Sequence, residues 1–149
     1  MSQEIDIEVI QNEFGKFDIS FAENGDFSLT SGFDTAIAMS IFCERRALPN
    51  EVPVSSRRRG FWGNVASLLE GFEIGSKIWL VRQERLTEET INKIKDYLNQ
   101  GLAWFVSEGW AVDVSTSVVA IDGIVRIDVT IERPNGQVET RGYDIWQNT

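Results

Sequence analysis

The sequence predicts an α+β fold in which two to three helices pack on one face of a mainly antiparallel sheet, built from a C-terminal β meander plus an N-terminal hairpin. Three observations predict it. Residues 112 to 132 alternate apolar and polar side chains with a period of two, residues 87 to 109 place apolar side chains at helical spacing, and Asn24-Gly25 stands between two alternating runs where a tight turn belongs. A sheet with one polar face needs helices only on the other, so the helices should cross its apolar side. A chain of 149 residues with 42% hydrophobic content can bury one core, and residues 1–149 read as a single domain.

Taken in order, residues 1–16 read as an N-terminal arm. Residues 17–29 read as a hairpin: Phe17, Ile19 and Phe21 alternate with polar residues, Asn24-Gly25 supplies the positive φ of the turn, and Phe27 and Leu29 resume the period. Ile37, Ala38, Ile41 and Phe42 then share one face of a helix running from about Phe33 to Arg46, with Ser31 or Asp34 as candidate caps. Residues 48–64 lose periodicity and hold Pro49, Pro53, Gly60 and Gly63, so they form a long surface loop. Residues 76–85 read as a short helix. Thr87 caps a longer one, in which Glu88 and Glu89 favour the first turn, Ile91, Ile94, Leu98, Leu102 and Phe105 face the core, and Gly109 is the stop. Trp104 lies to the side of that stripe, where it either covers the core, the favoured reading, or meets a partner. Asp122-Gly123 and Asn135-Gly136 divide the remainder into three strands, of which residues 137–146 are the weakest.

Charge is sorted along this chain. The net charge is −9 and the pI about 4.5, yet five arginines stand between Arg45 and Arg59 against one acid, Glu51, while residues 1–34 hold eight acids and Lys16. The acidity argues against nucleic acid as a partner. Arginine outnumbers lysine ten to four, which suits carboxylate pairing at protein interfaces. Arg57-Arg58-Arg59-Gly60-Phe61-Trp62-Gly63 therefore reads as a contact loop that either folds back on its own domain or, the favoured alternative, docks into a neighbour. Arg45 and Arg46 fit equally the negative end of a helix dipole and a binding role. The strand bearing Tyr143 and Trp146 has only Arg141 and Asp144 to blunt it, so addition of a strand from another chain is open to it.

Several chemistries are excluded. One cysteine, Cys43, leaves no intramolecular disulfide and no thiolate zinc site, and the absence of histidine removes the commonest general base and metal ligand. Cys43 itself reads as a small thiol buried among apolar residues. No enzyme activity, cofactor or metal is expected. The N-terminus carries acids where a signal peptide would carry cations, and no apolar run reaches the ~18–20 residues that span a bilayer, so the expectation is a soluble protein made in the cytosol, with no membrane partner.

The landmarks also come in a recognisable order: the Asn-Gly-Asp-Phe turn before Ser31-Gly32-Phe33, Glu44-Arg45-Arg46-Ala47, Arg58-Arg59-Gly60-Phe61-Trp62-Gly63, Gly75-Ser76-Lys77-Ile78-Trp79-Leu80, Leu102-Ala103-Trp104-Phe105, and a β meander. Over residues 17–146 the chain resembles the small baseplate wedge proteins of Mu-like contractile-tailed phages, a family related to the lysozyme-like wedge and sheath-initiator proteins. The resemblance implies a structural protein of the inner baseplate, assembled in the host cytoplasm and carried in the virion tail. Its partners would be other wedge subunits, the tail sheath protein, and the central hub or spike. It also implies a sheath-initiating role for residues 111–146. Relatives outside the Mu-like group carry a Glu-Pro-Arg triplet at the start of the β region; here Glu108-Gly109-Trp110 keeps only Glu108, and Glu132-Arg133-Pro134 stands at the wrong place. The candidate partner-binding residues are thus Arg45, Arg46, Arg57, Arg58, Arg59, Phe61, Trp62, Glu108, Tyr143 and Trp146, with Arg58, Arg59 and Trp62 the leading anchors. The alternative is a lysozyme-like cell-wall glycosidase, for which Glu70 and Glu73 could be drawn as the paired carboxyls.

Overall fold

Among the described residues, seven short or medium strands and three α-helices give an α+β fold. The structure, a computed structural model, describes residues 5–11, 17–19, 21–26, 29–31, 33–61 and 73–146. The chain divides into two compact units, residues 1–39 and 40–149.

In the first unit β1 (Ile5–Ile7) pairs antiparallel with β4 (Leu29–Ser31), and β2 (Val9–Gln11) with β3 (Phe17–Ile19). The expected turn is present. Gly25 has φ +86°, the Ala22 N–H donates to the Asp26 carbonyl at 2.8 Å, and the Asn24 side chain accepts from the Asp26 N–H at 3.1 Å. The ladder partners of β3 and β4, however, come from the N-terminal segment. Ile5, Ile7 and Val9 alternate with Asp6 and Glu8, a period of two that competes for the same strands. Phe27 lies outside the described residues.

Helix α1 (Phe33–Phe42) buries Ile37 and Ile41 completely and stops four residues short of the expected Arg46. The reason lies far along the chain. The Ser76 N–H donates to the Cys43 carbonyl, the Arg45 N–H donates to the Ser76 carbonyl, both at 3.0 Å, and the Ser76 hydroxyl donates to the Ile41 carbonyl. Glu44 and Ser76 thus form a parallel bridge that claims backbone groups a longer helix would have used. Arg45 and Arg46 therefore lie beyond the helix end. Ser76, occupied in this way, cannot cap the helix expected over 76–85, and only a 3-10 turn forms at Ile78–Val81.

Helix α2 (Glu88–Leu102) begins as its sequence demands. The Thr87 hydroxyl accepts from the Thr90 N–H at 3.2 Å, a cap worth about 1 kcal/mol over alanine. Ile94, Leu98 and Leu102 are buried along one face, and Phe105 continues the stripe in α3 (Trp104–Ser107) after a break at Ala103. At the end of α3 the Trp110 N–H reaches the Phe105 carbonyl and the Gly109 N–H the Val106 carbonyl, with Gly109 at φ +79°, so the glycine stop is a Schellman turn.

The meander consists of β5 (Asp113–Ile121), β6 (Ile124–Glu132) and β7 (Val138–Trp146) in the order β5-β6-β7. Asp122 and Gly123 have φ +49° and +79°, the two positive values of a type I′ turn, which pairs Ile121 with Ile124 and sets the register. Central β6 turns Val125, Ile127, Val129 and Ile131 into the core with no exposure at all. The helices α2 and α3 lie along β5, where the Thr116 hydroxyl donates to the Asn99 side chain at 2.8 Å. On the outer face Arg126 crosses Gly142 to reach Asp128 and Asp144 at 3.4 and 3.2 Å. No described helix is long and apolar enough to cross a membrane.

Candidate functional site: the arginine segment

Two stretches leave regular structure and run beside each other, one after α1 and one ahead of Phe61. The Ala47 N–H donates to the Arg58 carbonyl at 2.9 Å, and Arg58 Nε donates to the Ala47 carbonyl at 2.6 Å. Ala47 is fully buried beneath this pair. Arg59 holds φ +53°, a left-handed conformation rare for a side-chain-bearing residue, and its guanidinium pairs with the Glu44 carboxylate at 2.7 Å while lying 4.9 Å from the Trp79 ring centroid. Trp79 in turn donates Nε1 to the Arg45 carbonyl at 2.9 Å. The aromatic ring thus links the 3-10 turn at 78–81 to both sides of the segment.

Arg45 also serves the domain itself. Its Nη2 donates to the Glu73 carbonyl at 2.7 Å, the Glu73 carboxylate stands 4.0 Å from Nε, and the side chain is 16% exposed. Of the other candidates, Arg46 and Arg57 are exposed, Phe61 is half-buried, and Trp62 lies outside the described residues. Glu108 is exposed at the C-cap of α3. Tyr143 meets Phe42 edge-on with centroids 5.5 Å apart, and Trp146 stands opposite Ile124 at the end of β7. The arginines therefore gather in one place, while Glu108, Tyr143 and Trp146 belong to the helix end and the sheet. Trp104 stacks on Phe105 at 4.0 Å and donates Nε1 to the Ser40 hydroxyl at 2.8 Å.

Sequence reasoning missed a buried ion pair. Lys77 Nζ lies 2.9 Å from Glu51 Oε1, the two side chains being 7% and 21% exposed, and fastens the 3-10 turn Pro49–Glu51 to the segment before Ile78. Its one local signal was a lysine set between Ser76 and the apolar Ile78-Trp79-Leu80. Of the carboxyl pair drawn for glycoside hydrolysis, Glu73 binds Arg45 through its main-chain carbonyl and keeps a half-exposed carboxylate 4.0 Å from Arg45 Nε, and Glu70 lies outside the described residues.

Cys43 is half-buried, and burial, with a smaller contribution from the negative charge of Glu44, pushes its thiol above the ordinary value of 9.0. The folded chain therefore holds this proton more tightly than the unfolded one. Its contribution to stability is complete below about pH 9 and is lost as pH rises through the folded pKa. Wild type should lose more urea resistance between pH 8 and pH 10 than Cys43→Ala does; equal losses would contradict this. Iodoacetamide should also modify the native thiol more slowly than the urea-unfolded one.

Among known proteins, the model of the family described as phage protein GP46 matches residues 33–138, a span from α1 to the first residue of β7 that includes the whole arginine segment. The baseplate protein gp46 of Escherichia phage Mu is 28% identical over 128 residues, covering 83% of this chain and 85% of that protein. The Mu-like prophage FluMu protein gp46 of Haemophilus influenzae is 29% identical over 121 residues, 79% of this chain and 78% of its own.

Proposed function

Because this chain belongs to the phage GP46 family of Mu-like baseplate proteins, we propose that it is a structural component of a phage tail baseplate, working by protein docking and not by catalysis. In its finer form the proposal makes it an inner wedge subunit of a contractile tail. There the arginine segment meets a neighbouring wedge protein and the C-terminal sheet starts the sheath. The observation that carries the reading is the family match, which spans the arginine segment and strands β5 and β6 of the sheet.

Two physical features support the finer form. Among the described residues the sheet has β5 and β7 as its edges. Strand β5 runs nine residues without proline, glycine or lysine, the devices that usually discourage pairing with another chain. Arginine is also the charged residue most often found as an energetic anchor of interfaces.

Tail particles purified from a producing strain test the proposal. The protein should co-sediment with tails, and deleting its gene should leave tails without an assembled sheath. Complete sheaths on tails that lack the protein would sink the sheath-initiating role, and its absence from wild-type tails would sink the baseplate reading. Release of soluble sugar from peptidoglycan by the purified protein would instead support the glycosidase.

A further inference from the structure

The cations gathered between residues 45 and 77 divide into two groups. Arg45 is matched by Glu73, Arg59 by Glu44 and Lys77 by Glu51, while Arg58 gives its Nε to a main-chain carbonyl. Arg46 and Arg57 are exposed, and among the described residues neither guanidinium has a hydrogen bond or an ion pair. Among the described residues, Glu44, Glu51 and Glu73 each stand with another cation, and Arg46 and Arg57 are left over.

Their placement follows from the backbone pairing. Ala47 is hydrogen-bonded to Arg58 and fully buried, so the residues on either side of it, Arg46 and Leu48, are turned to solvent, Leu48 with 52% of its surface exposed. Gly60 comes close on the other stretch: a Cβ there would stand 3.3 Å from Arg46 Cβ. Arg46 and Leu48 are thus exposed on either side of Ala47, and Arg57 is exposed on the other stretch, next to the Arg58 that pairs with Ala47.

We propose that Arg46, Leu48 and Arg57 are the partner-facing contact of this segment and seat on an acidic protein surface of another baseplate subunit, with carboxylates around a shallow apolar depression. This deepens the docking role proposed above and rests on that reading. Arg45, Arg58 and Arg59 are the scaffold that holds the contact in shape. A guanidinium with no internal partner gives up nothing but water when it meets a carboxylate, and its planar fork fits two carboxylate oxygens at once. A net charge of −9 disfavours nucleic acid, whose phosphates repel the molecule as a whole. Charge also argues for a different subunit over a second copy. Two copies, each of net charge −9, repel one another as wholes.

The test uses the full chain expressed with the tail genes it assembles with, and measures its amount in purified tails beside its melting temperature. The double variant Arg46→Glu/Arg57→Glu should melt like wild type yet fall at least about tenfold in tails. Second-site suppressors should replace Asp or Glu in another tail protein. Arg59→Ala should instead lower the melting temperature. Should the charge reversal disturb folding, Arg46→Gln/Arg57→Gln serves in its place, with a smaller loss expected. Normal incorporation of a folded double variant would overturn the proposal while leaving the baseplate reading intact. So would a salt-sensitive dimer, or salt-sensitive binding of duplex DNA, that wild type shows and the variant lacks. Absence of the wild-type protein from tails would remove the baseplate reading and this contact with it.

Discussion

Gly75→Ala is expected to lower the melting temperature by about 10 °C, the result of a loss of about 3–4 kcal/mol. Gly75 sits at φ +111°, where an L side chain is strained by about 1–3 kcal/mol. A Cβ there would also stand 2.5 Å from the Cys43 carbonyl oxygen and 2.9 Å from its carbon. That oxygen cannot retreat cheaply, since it accepts the Ser76 N–H in the bridge that ends α1. Relieving the clash adds about 1–3 kcal/mol. Gly123→Ala separates the two effects, because Gly123 has φ +79° but nothing within 4 Å of an added Cβ, and should cost only about 1–2 kcal/mol. Equal melting temperatures for the two variants would show that the approach of residue 75 to Cys43 does not hold the fold.

Glu51→Ala should cost about 3 kcal/mol, at the low end of the range for removing one partner of a buried ion pair because Glu51 keeps some contact with water. The loss comes mainly from Lys77, whose side chain is 7% exposed in the wild type and whose ammonium would lose its carboxylate partner. Glu51→Leu combined with Lys77→Met should recover much of it, since an apolar pair asks for no compensating charge. Urea midpoints decide the matter. A double variant no more stable than Glu51→Ala would mean that the deficit reflects lost packing around the 3-10 turn and not a stranded charge.

What the sequence reveals here depends on how far apart the interacting groups are. Strands β5 to β7 are legible because each carries its own alternation and its own turn residues, and pairing of neighbours then follows. Helix α2 is legible from its threonine cap and apolar stripe. The end of α1 is not, because it is set by Ser76, 35 positions beyond Ile41. The Lys77–Glu51 pair spans 26 positions, and no local pattern announces it. At the candidate site the clustering of arginines is visible in the sequence. Which of them turn inward depends on single acceptors such as the carbonyls of Ala47 and Glu73, which only the fold brings near.

The meander has a kinetic consequence as well. Among the described residues its strands pair with sequence neighbours, so the loops closed in forming it are short and their entropic cost is small. Yet all three follow α2 along the chain. During synthesis the stripe of Ile94, Leu98, Leu102 and Phe105 is made before β5 to β7 exist to meet it. Rapid zipping of β5 onto β6 through the Asp122-Gly123 turn shortens that interval of exposure. A slower turn at this position would therefore lower the yield of soluble protein more than it lowers the stability of the finished fold.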